Sequence, residues 1–355
     1  MNKRTFALLT AVITFTVGVA LARLSLPTLF ETPPPPRIMN EIQLSNYRLS
    51  GPYEFKDLSI FLIHGPDAPI SRLYTPLQDA VDRRVAIVHE TGSVNELMIQ
   101  NVTLNEDIFV QAGDIVKGGK QDRVLSVDLI LAAGSDSVPI SAFCVEQSRW
   151  QARGSESADH FTITEMVATY SLKQAIKDIA TQTGVWSEVK SSQDSIAAGV
   201  AESVRSDESP TSLPLALESN AVQESVAPYV DSLLSIIHGQ NDVIGFAFAI
   251  NDQIKGADVY SSNLMFEWYW PRLLKAAAVE AIATPEMKRA PSALSLEDVG
   301  AFLVNSELGE KTITEINWRT QSVRRESDYG LFFETRDTGH HGAWVHRSYL
   351  GRRRD

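Results

Sequence analysis

Two short strings in the first half of the chain bring together residue types that bind and break charged esters. Lys117-Gly118-Gly119-Lys120-Gln121-Asp122-Arg123 sets three cations, a carboxylate and an amide around a diglycine. Cys144-Val145-Glu146-Gln147-Ser148-Arg149-Trp150 returns a carboxylate, an amide, a cation and an aromatic ring. Adjacent glycines let backbone N–H groups approach a ligand closely, and neighbouring Lys and Arg favour an anion such as phosphate. Gly118, Gly119, Lys120, Gln121, Arg123, Gln147, Arg149 and Trp150 are therefore candidate ligand-binding residues. Glu146 and Asp122 form a candidate general acid–base pair for hydrolysis of a glycosidic or phosphoester bond, with Lys120, Arg123 and Arg149 neutralising phosphate. The competing reading is a hairpin turn with solvated charges, or a salt-bridge network that closes a sheet. The phosphate-cradling pattern GxxxxGK[ST] is absent.

A strand pair must position the two strings. From Arg123 to Leu131, Leu125, Val127, Leu129 and Leu131 share one face, and Ser126 and Asp128 lie on the other. A Gly134-Ser135-Asp136 turn leads to a second apolar run, Ser137 to Val145. Pairing the two as a hairpin brings Lys120 and Arg123 beside Val145 to Gln147 at one end of a sheet. Other short apolar runs, Phe55 to Ile63, Val85 to His89, Glu96 to Val102 and Ile108 to Gln111, make residues 51–150 an antiparallel sandwich or barrel-like sheet. Thr75-Pro76 opens a short helix over Leu77, Ala80 and Val81.

Residues 160–240 read as helical. Thr164 to Thr181 is an amphipathic pattern, Leu213 to Ile237 another that stops at His238-Gly239, and Ser187 to Thr211 between them is weak helix or linker. Val243 to Ile250 and Ile254 to Tyr260 flank a hairpin turn, Asn251-Asp252-Gln253. The aromatic helix after Ser262-Asn263 meets Pro271, which kinks it or starts a second helix. A helix at Ser295 to Val304 precedes alternating segments up to Tyr349 that form a closing β-meander. The fold class is α+β: one domain over residues 51–349, β-rich at 51–150, helical at 160–240 and mixed at 241–349.

GGKQDR, an apolar strand, a Gly-Ser turn and VPISAFCVEQSRW together resemble the signature of the ARG (ADP-ribosylglycohydrolase) and Rhodanese-Phosphatase-superfamily-associated Protein domain. The resemblance continues through Val185-Trp186 and Gly256-Ala257-Asp258-Val259-Tyr260 into the aromatic helix, and covers about Gly51 to Ile282. The family's name records association with enzymes that handle ADP-ribose or phosphate, which implies a ligand of that class. Its pattern often has Asn where this chain has Asp122, so the loop here carries one more negative charge beside Lys120 and Arg123.

Other reactive residues point to no second site. Cys144 lies among Ile140, Ala142, Phe143 and Val145 without a designated histidine and reads as a buried thiol rather than a nucleophile. His340-His341 and His346 do not form a metal pattern, because adjacent strand residues point to opposite faces. No metal and no cofactor is expected. Ser135 and Ser148 lack a G-x-S-x-G elbow.

The chain's 355 residues, 44% of them hydrophobic, can bury a sizeable core, and its single cysteine excludes a disulfide framework. With 32 Lys and Arg against 44 Asp and Glu, a net charge of −12 argues against nucleic acid as a partner. The expected partner is an anionic small molecule. At the N-terminus, Lys3-Arg4, the uncharged run Phe6 to Ala22 and Ala20-Leu21-Ala22 form a signal peptide over residues 1–22, or an uncleaved anchor that touches the membrane. Residues 23–50 follow as a spacer, with TPPPPR at Thr32 to Arg37 favouring polyproline II, and residues 350–355 are a basic tail. The expectation is an extracytoplasmic binding or scaffold module for a phosphorylated or sugar-bearing ligand. The alternative is a hydrolase of a nucleotide-sugar, ADP-ribose-like or phosphate-ester substrate.

Overall fold

Most of the chain's apolar runs become strands of two large antiparallel sheets, with helices packed between and against them. The computed structural model describes residues 41–44, 46–68, 74–154, 156, 160–285 and 294–352. The leader, the proline run and residues 353–355 of the basic tail lie outside the described residues. The first strands are β1 (Glu41–Gln43), β2 (Arg48–Phe55), β3 (Leu58–His64) and β4 (Tyr74–Pro76), the last running into helix α1 (Leu77–Asp82). Strands β5 (Ala86–Glu90), β6 (Glu96–Asn101), β7 (Asp107–Val110), β8 (Ile115–Gly118), β9 (Arg123–Leu125), β10 (Leu129–Leu131), β11 (Val138–Cys144) and β12 (Phe161–Ile163) follow. The middle holds α2 (Tyr170–Gln174), a π-helical turn over Ala175–Ile179, α3 (Gln182–Val200), α4 (Leu213–Leu217) and α5 (Asn220–Leu233). Hairpin β13 (Val243–Ile250) and β14 (Gln253–Tyr260) leads to α6 (Asn263–Ala283) and α7 (Leu296–Ser306). The meander β15 (Glu310–Glu315), β16 (Thr320–Glu326), β17 (Gly330–Asp337) and β18 (Ala343–Gly351) closes the chain.

The α+β reading is correct, and its β-rich first part takes the barrel-like form. Strands β12-β8-β9-β11-β6-β5 form a six-stranded, nearly closed sheet whose edge strands neighbour each other. A three-stranded sheet, β10-β7-β4, lies beside it and contains the parallel pair β4–β7. The first three strands leave this region and join the C-terminal ones in a nine-stranded sheet, β1-β2-β3-β13-β14-β18-β17-β16-β15. Residues before Gly51 that read as spacer thus already belong to a sheet.

Several local expectations change for identifiable reasons. Phe55 to Ile63 is two strands, not one, because the chain reverses at Lys56, which adopts φ +53°. Arg123 to Leu131 is likewise divided: β9 pairs with β11, whereas β10 pairs with β7. The break frees Asp128 to accept from the backbone N–H of Ala112 at 2.7 Å. Ser187 to Thr211 is no linker for most of its length, since α3 runs to Val200 and buries Val185, Val189 and Ile196 together with Glu188, Ser192 and Gln193. Pro271 neither ends α6 nor starts another helix; it sits inside a continuous segment whose Phe266, Trp270 and Leu274 pack in the main core. The hairpin turn is confirmed, with Asn251 and Asp252 at φ +51° and +61°, the left-handed pair that a two-residue turn requires.

Candidate functional site

Antiparallel pairing of β9 with β11 does bring the two candidate strings together, although the pair is no simple hairpin, since β10 between them pairs with β7. Cys144 lies opposite Arg123 and Ala142 opposite Leu125, and β8 pairs the other side of β9 with Val116 opposite Arg123. The β8–β9 turn therefore sits beside Val145 and Glu146, and Val145 N–H donates to Asp122 O at 3.0 Å. Gly118 and Gly119 have φ of +120° and +54°, and a Cβ on Gly119 would fall 2.2 Å from the Phe161 ring. Both positions need glycine for backbone reasons, independently of any ligand. Asp122 Oδ1 and Glu90 Oε1 hold the turn by accepting from Gly118 N–H and Lys120 N–H at 2.9 and 2.8 Å.

Asp122 and Glu146 have no exposed surface. Arg149 donates through Nε to both Glu146 oxygens at 2.7 Å, through Nη1 to Gly119 O at 2.9 Å, and through Nη2 to Gly118 O at 3.2 Å and Asp122 Oδ1 at 3.3 Å. Arg153, from outside the candidate strings, bridges the two carboxylates, reaching Asp122 Oδ2 at 3.0 Å and Glu146 Oε1 at 3.4 Å. Ser212 Oγ donates to Asp122 Oδ2 at 2.7 Å, and Ser209 Oγ donates to Glu146 Oε1. Both guanidiniums meet both carboxylates, and Arg153 Nη2 also donates to Glu156 Oε1 at 2.8 Å. Such a cluster tolerates burial only because each partner is present. Cleavage by two carboxylates needs an open gap for the substrate between them, and here arginines and serines occupy that space.

The remaining candidates divide into buried and exposed. Arg123 is fully buried; Nη1 donates to Gln121 O at 3.1 Å, and Nη2 faces Glu90 Oε2 at 3.7 Å. Gln121 Nε2 donates to Glu146 O at 3.1 Å. Trp150, 45% exposed, stacks over both the Arg123 guanidinium and the Lys120 ammonium at 5.7 and 5.3 Å from its ring centre. Gln147 is exposed, and its backbone is pinned by the Thr211 hydroxyl. Cys144 is buried with Sγ 3.0 Å from Gln121 Oε1, and burial pushes its thiol up to about 11, so it stays protonated and unreactive at neutral pH.

A family model for the ARG and Rhodanese-Phosphatase-superfamily-associated Protein domain matches residues 46–350. The chain belongs to this family. The match extends past the Ile282 limit of the motif resemblance and takes in the whole closing meander. No curated protein and no solved structure matches the chain.

In this ARG and Rhodanese-Phosphatase-superfamily-associated domain, the signature also joins the barrel-like sheet to the helices. Ser212 caps α4 by accepting from Leu215 N–H at 3.2 Å while it donates to Asp122, and Leu213 N–H donates to Val145 O at 3.0 Å. Sequence reading missed Arg153, Glu90, Ser209 and Ser212. Ser212 alone carried a local signal, a serine before Leu-Pro at a helix start; its bond to Asp122 spans ninety residues of chain.

Among the described residues a cleft of about 990 Å³ lies elsewhere, walled by α2, α3, the end of α6, and α7. Glu280 on α6 accepts from Ser171 Oγ at 2.5 Å and Ser171 N–H at 3.2 Å; burial raises the pKa of its carboxyl, with Glu188 across the cleft adding to the rise. Ser192 Oγ donates to Glu188 Oε1 at 3.2 Å. Tyr170, Phe302 and Tyr329 supply aromatic surface. The cleft is acidic overall, with Glu188, Asp252, Glu280, Asp298 and Asp328 outnumbering Lys255 and Arg352.

Arg149→Ala removes the bidentate partner of buried Glu146, leaving it Arg153 at 3.4 Å and Ser209, and is expected to lower unfolding free energy by about 3 kcal/mol. Urea denaturation of both proteins measures this; a loss below about 0.5 kcal/mol would show that the cluster is not a stabilising network.

Proposed function

We propose that the protein is an extracytoplasmic binding module whose ligand presents a sugar-like, polyhydroxylated group to the 990 Å³ cleft, while the strand-end signature keeps the fold in register. The cleft's lining carries this reading. Serine hydroxyls and carboxylates exchange hydrogen bonds with sugar hydroxyls, and tyrosine and phenylalanine faces cover apolar ring surface. Its excess of carboxylates disfavours a phosphate, so the sugar-bearing part of the ligand class is preferred over the phosphorylated part. At the strand end, by contrast, Asp122, Arg123 and Glu146 are buried, and the exposed or partly exposed residues of the two strings are Lys117, Lys120, Gln147, Ser148, Arg149 and Trp150.

One observation favours a second reading, a hydrolase. Glu280 is a buried carboxyl with a raised pKa beside a second carboxylate, Glu188, which is the pairing that separates a general acid from its partner. The same carboxyl also caps the start of α2 through Ser171, which accounts for its burial without turnover.

Export is proposed from Lys3-Arg4 and the uncharged run Phe6 to Ala22. Among the described residues no helix is long and apolar enough to cross a membrane. A topology reporter fused after Arg37 is expected to be active only outside the cytoplasm, and cytoplasmic activity would refute export.

Thermal unfolding of the full-length protein with neutral sugars, amino sugars and sugar phosphates tests the ligand class, because a ligand of the folded state raises Tm. A saturable rise with a neutral or amino sugar, abolished by Tyr329→Ala, is expected. A rise with sugar phosphates alone, lost in Lys120→Ala, would return the site to the strand end. Release of a free sugar from a glycoside, lost in Glu280→Gln, would establish the hydrolase.

A further inference from the structure

We propose that a small cavity beneath the π-helical turn is a binding site for a monoanion, either chloride or the carboxylate of a small acid such as formate, held by Lys177, Ser322 and Ser348. The proposal is independent of the cleft and of the strand-end cluster.

The sheet register builds the floor of this cavity. Ser322 on β16 pairs with Thr335 on β17, which pairs with His346 on β18. One step along, Phe333 pairs with Ser348, which pairs with Asp258 on β14. Residues two apart on a strand share a face, so Phe333 and Thr335, and His346 and Ser348, point the same way. Helix α2 and its π-helical turn lie on that face and contribute Lys173 and Lys177. The π turn closes with Ala180 N–H donating to Ala175 O at 3.0 Å and Ala180 at φ +49°. Widened turns of this kind recur at functional sites.

Most charges in the cluster pair with one another. His346 stands between two carboxylates, Nδ1 2.8 Å from Asp128 Oδ2 and Nε2 3.2 Å from Asp258 Oδ1. Burial alone would lower its pKa, but Asp128 and Asp258 raise it to about 9, so both ring nitrogens carry protons. Lys173 Nζ lies 2.9 Å from Asp258 Oδ2, and Thr335 Oγ1 donates to Asp128 Oδ2 at 2.5 Å. Lys177 is the exception. Its ammonium lies over the Phe333 ring, 4.7 Å from the centre, and no acceptor among the described residues takes its protons. Burial lowers its pKa; Asp128 opposes that, while Lys173 and Arg324 add to it. Two lysines and an imidazolium against two carboxylates leave one positive charge without a counter-charge in a half-buried setting.

That charge borders a space that can be filled. The cavity is about 10 Å³ and partly open, room for one water-sized group such as a chloride or one oxygen of a carboxylate whose remaining atoms face the opening. Ser322 and Ser348 line it, and neither hydroxyl donates to another group among the described residues. Lys177 lines it with them, Asp128 in the same lining being already engaged by His346 and Thr335, and one unit of positive charge is left to neutralise. A monoanion matches that set. A dianion such as sulfate would exceed both the charge and the space.

The test uses the full-length protein in chloride-free buffer, with sodium chloride or sodium formate replacing sodium methanesulfonate at constant ionic strength. Chloride, formate or both should raise Tm saturably, by about 2–5 °C near saturation, and the rise should vanish in Lys177→Met and be reduced in Ser348→Ala. Chloride-35 NMR line broadening by the protein provides a second measurement that does not depend on variant stability. Broadening reversed by formate shows that the site takes either ion, and broadening that formate leaves unchanged shows a halide site. A rise with formate alone shows a carboxylate site. Equal Tm in all three salts without broadening, or an undiminished response in Lys177→Met, would overturn the proposal.

Discussion

Asp122 and Glu146, held out of water against Arg149 and Arg153, constrain everything around them. A buried charge without its partner costs several kcal/mol, so each of the four must be delivered to one point within tenths of an ångström. Delivery explains the local sequence. Gly118 and Gly119 turn the chain tightly enough for Asp122 to accept from Gly118 N–H, and their carbonyls accept from Arg149. The β9–β11 register places Glu146 alongside, and Ser209 and Ser212 bring in the start of the α4 region. A segment that looks like a ligand loop by composition is thus held largely by ion pairs and hydrogen bonds to Glu90, Arg153, Ser209 and Ser212.

Buried ion pairs join other seams as well. Arg272 on α6 meets Asp114 next to β8 at 2.8 Å, tying the aromatic helix to the barrel-like sheet. Arg319 reaches Asp107 on β7 at 3.0 Å and Asp337 on β17 at 2.6 Å, tying the three-stranded sheet to the meander. His346 ties β18 to Asp128, in the break between β9 and β10. Apolar cores fill the space within each layer, and these pairs fix how the layers meet. Specific pairs contribute register more than net stability.

Much of this architecture was legible in short-range pattern. Turn signals located the hairpin at Asn251-Asp252, the end of the helical middle at His238-Gly239, and the closing meander, because each depends on neighbours in sequence. The proximity of Lys120 and Arg123 to Glu146 was legible through the antiparallel pairing of their two segments, although β10 leaves for another sheet between them. Helix α3 was obscured because its buried face is partly polar: Glu188, Ser192 and Gln193 are enclosed by the fold rather than by their own apolarity. The split of Arg123 to Leu131 was hidden because Leu129 and Leu131 keep the alternation of a strand while pairing with a different partner, β7. Arg153 and Ser209 carried no signal at all, since their significance arises only when distant segments meet.

The pairing at the strand end is tested most directly by a double-mutant cycle on Asp122→Ala and Arg153→Ala, with unfolding free energies of the native protein, both single variants and the double variant. The account predicts strong coupling: each single change removes an ion-pair partner of the other side chain inside the cluster, so the double variant loses about 2–3 kcal/mol less than the sum of the singles. Additivity within about 0.5 kcal/mol would mean that the two side chains do not depend on each other, and would contradict the account.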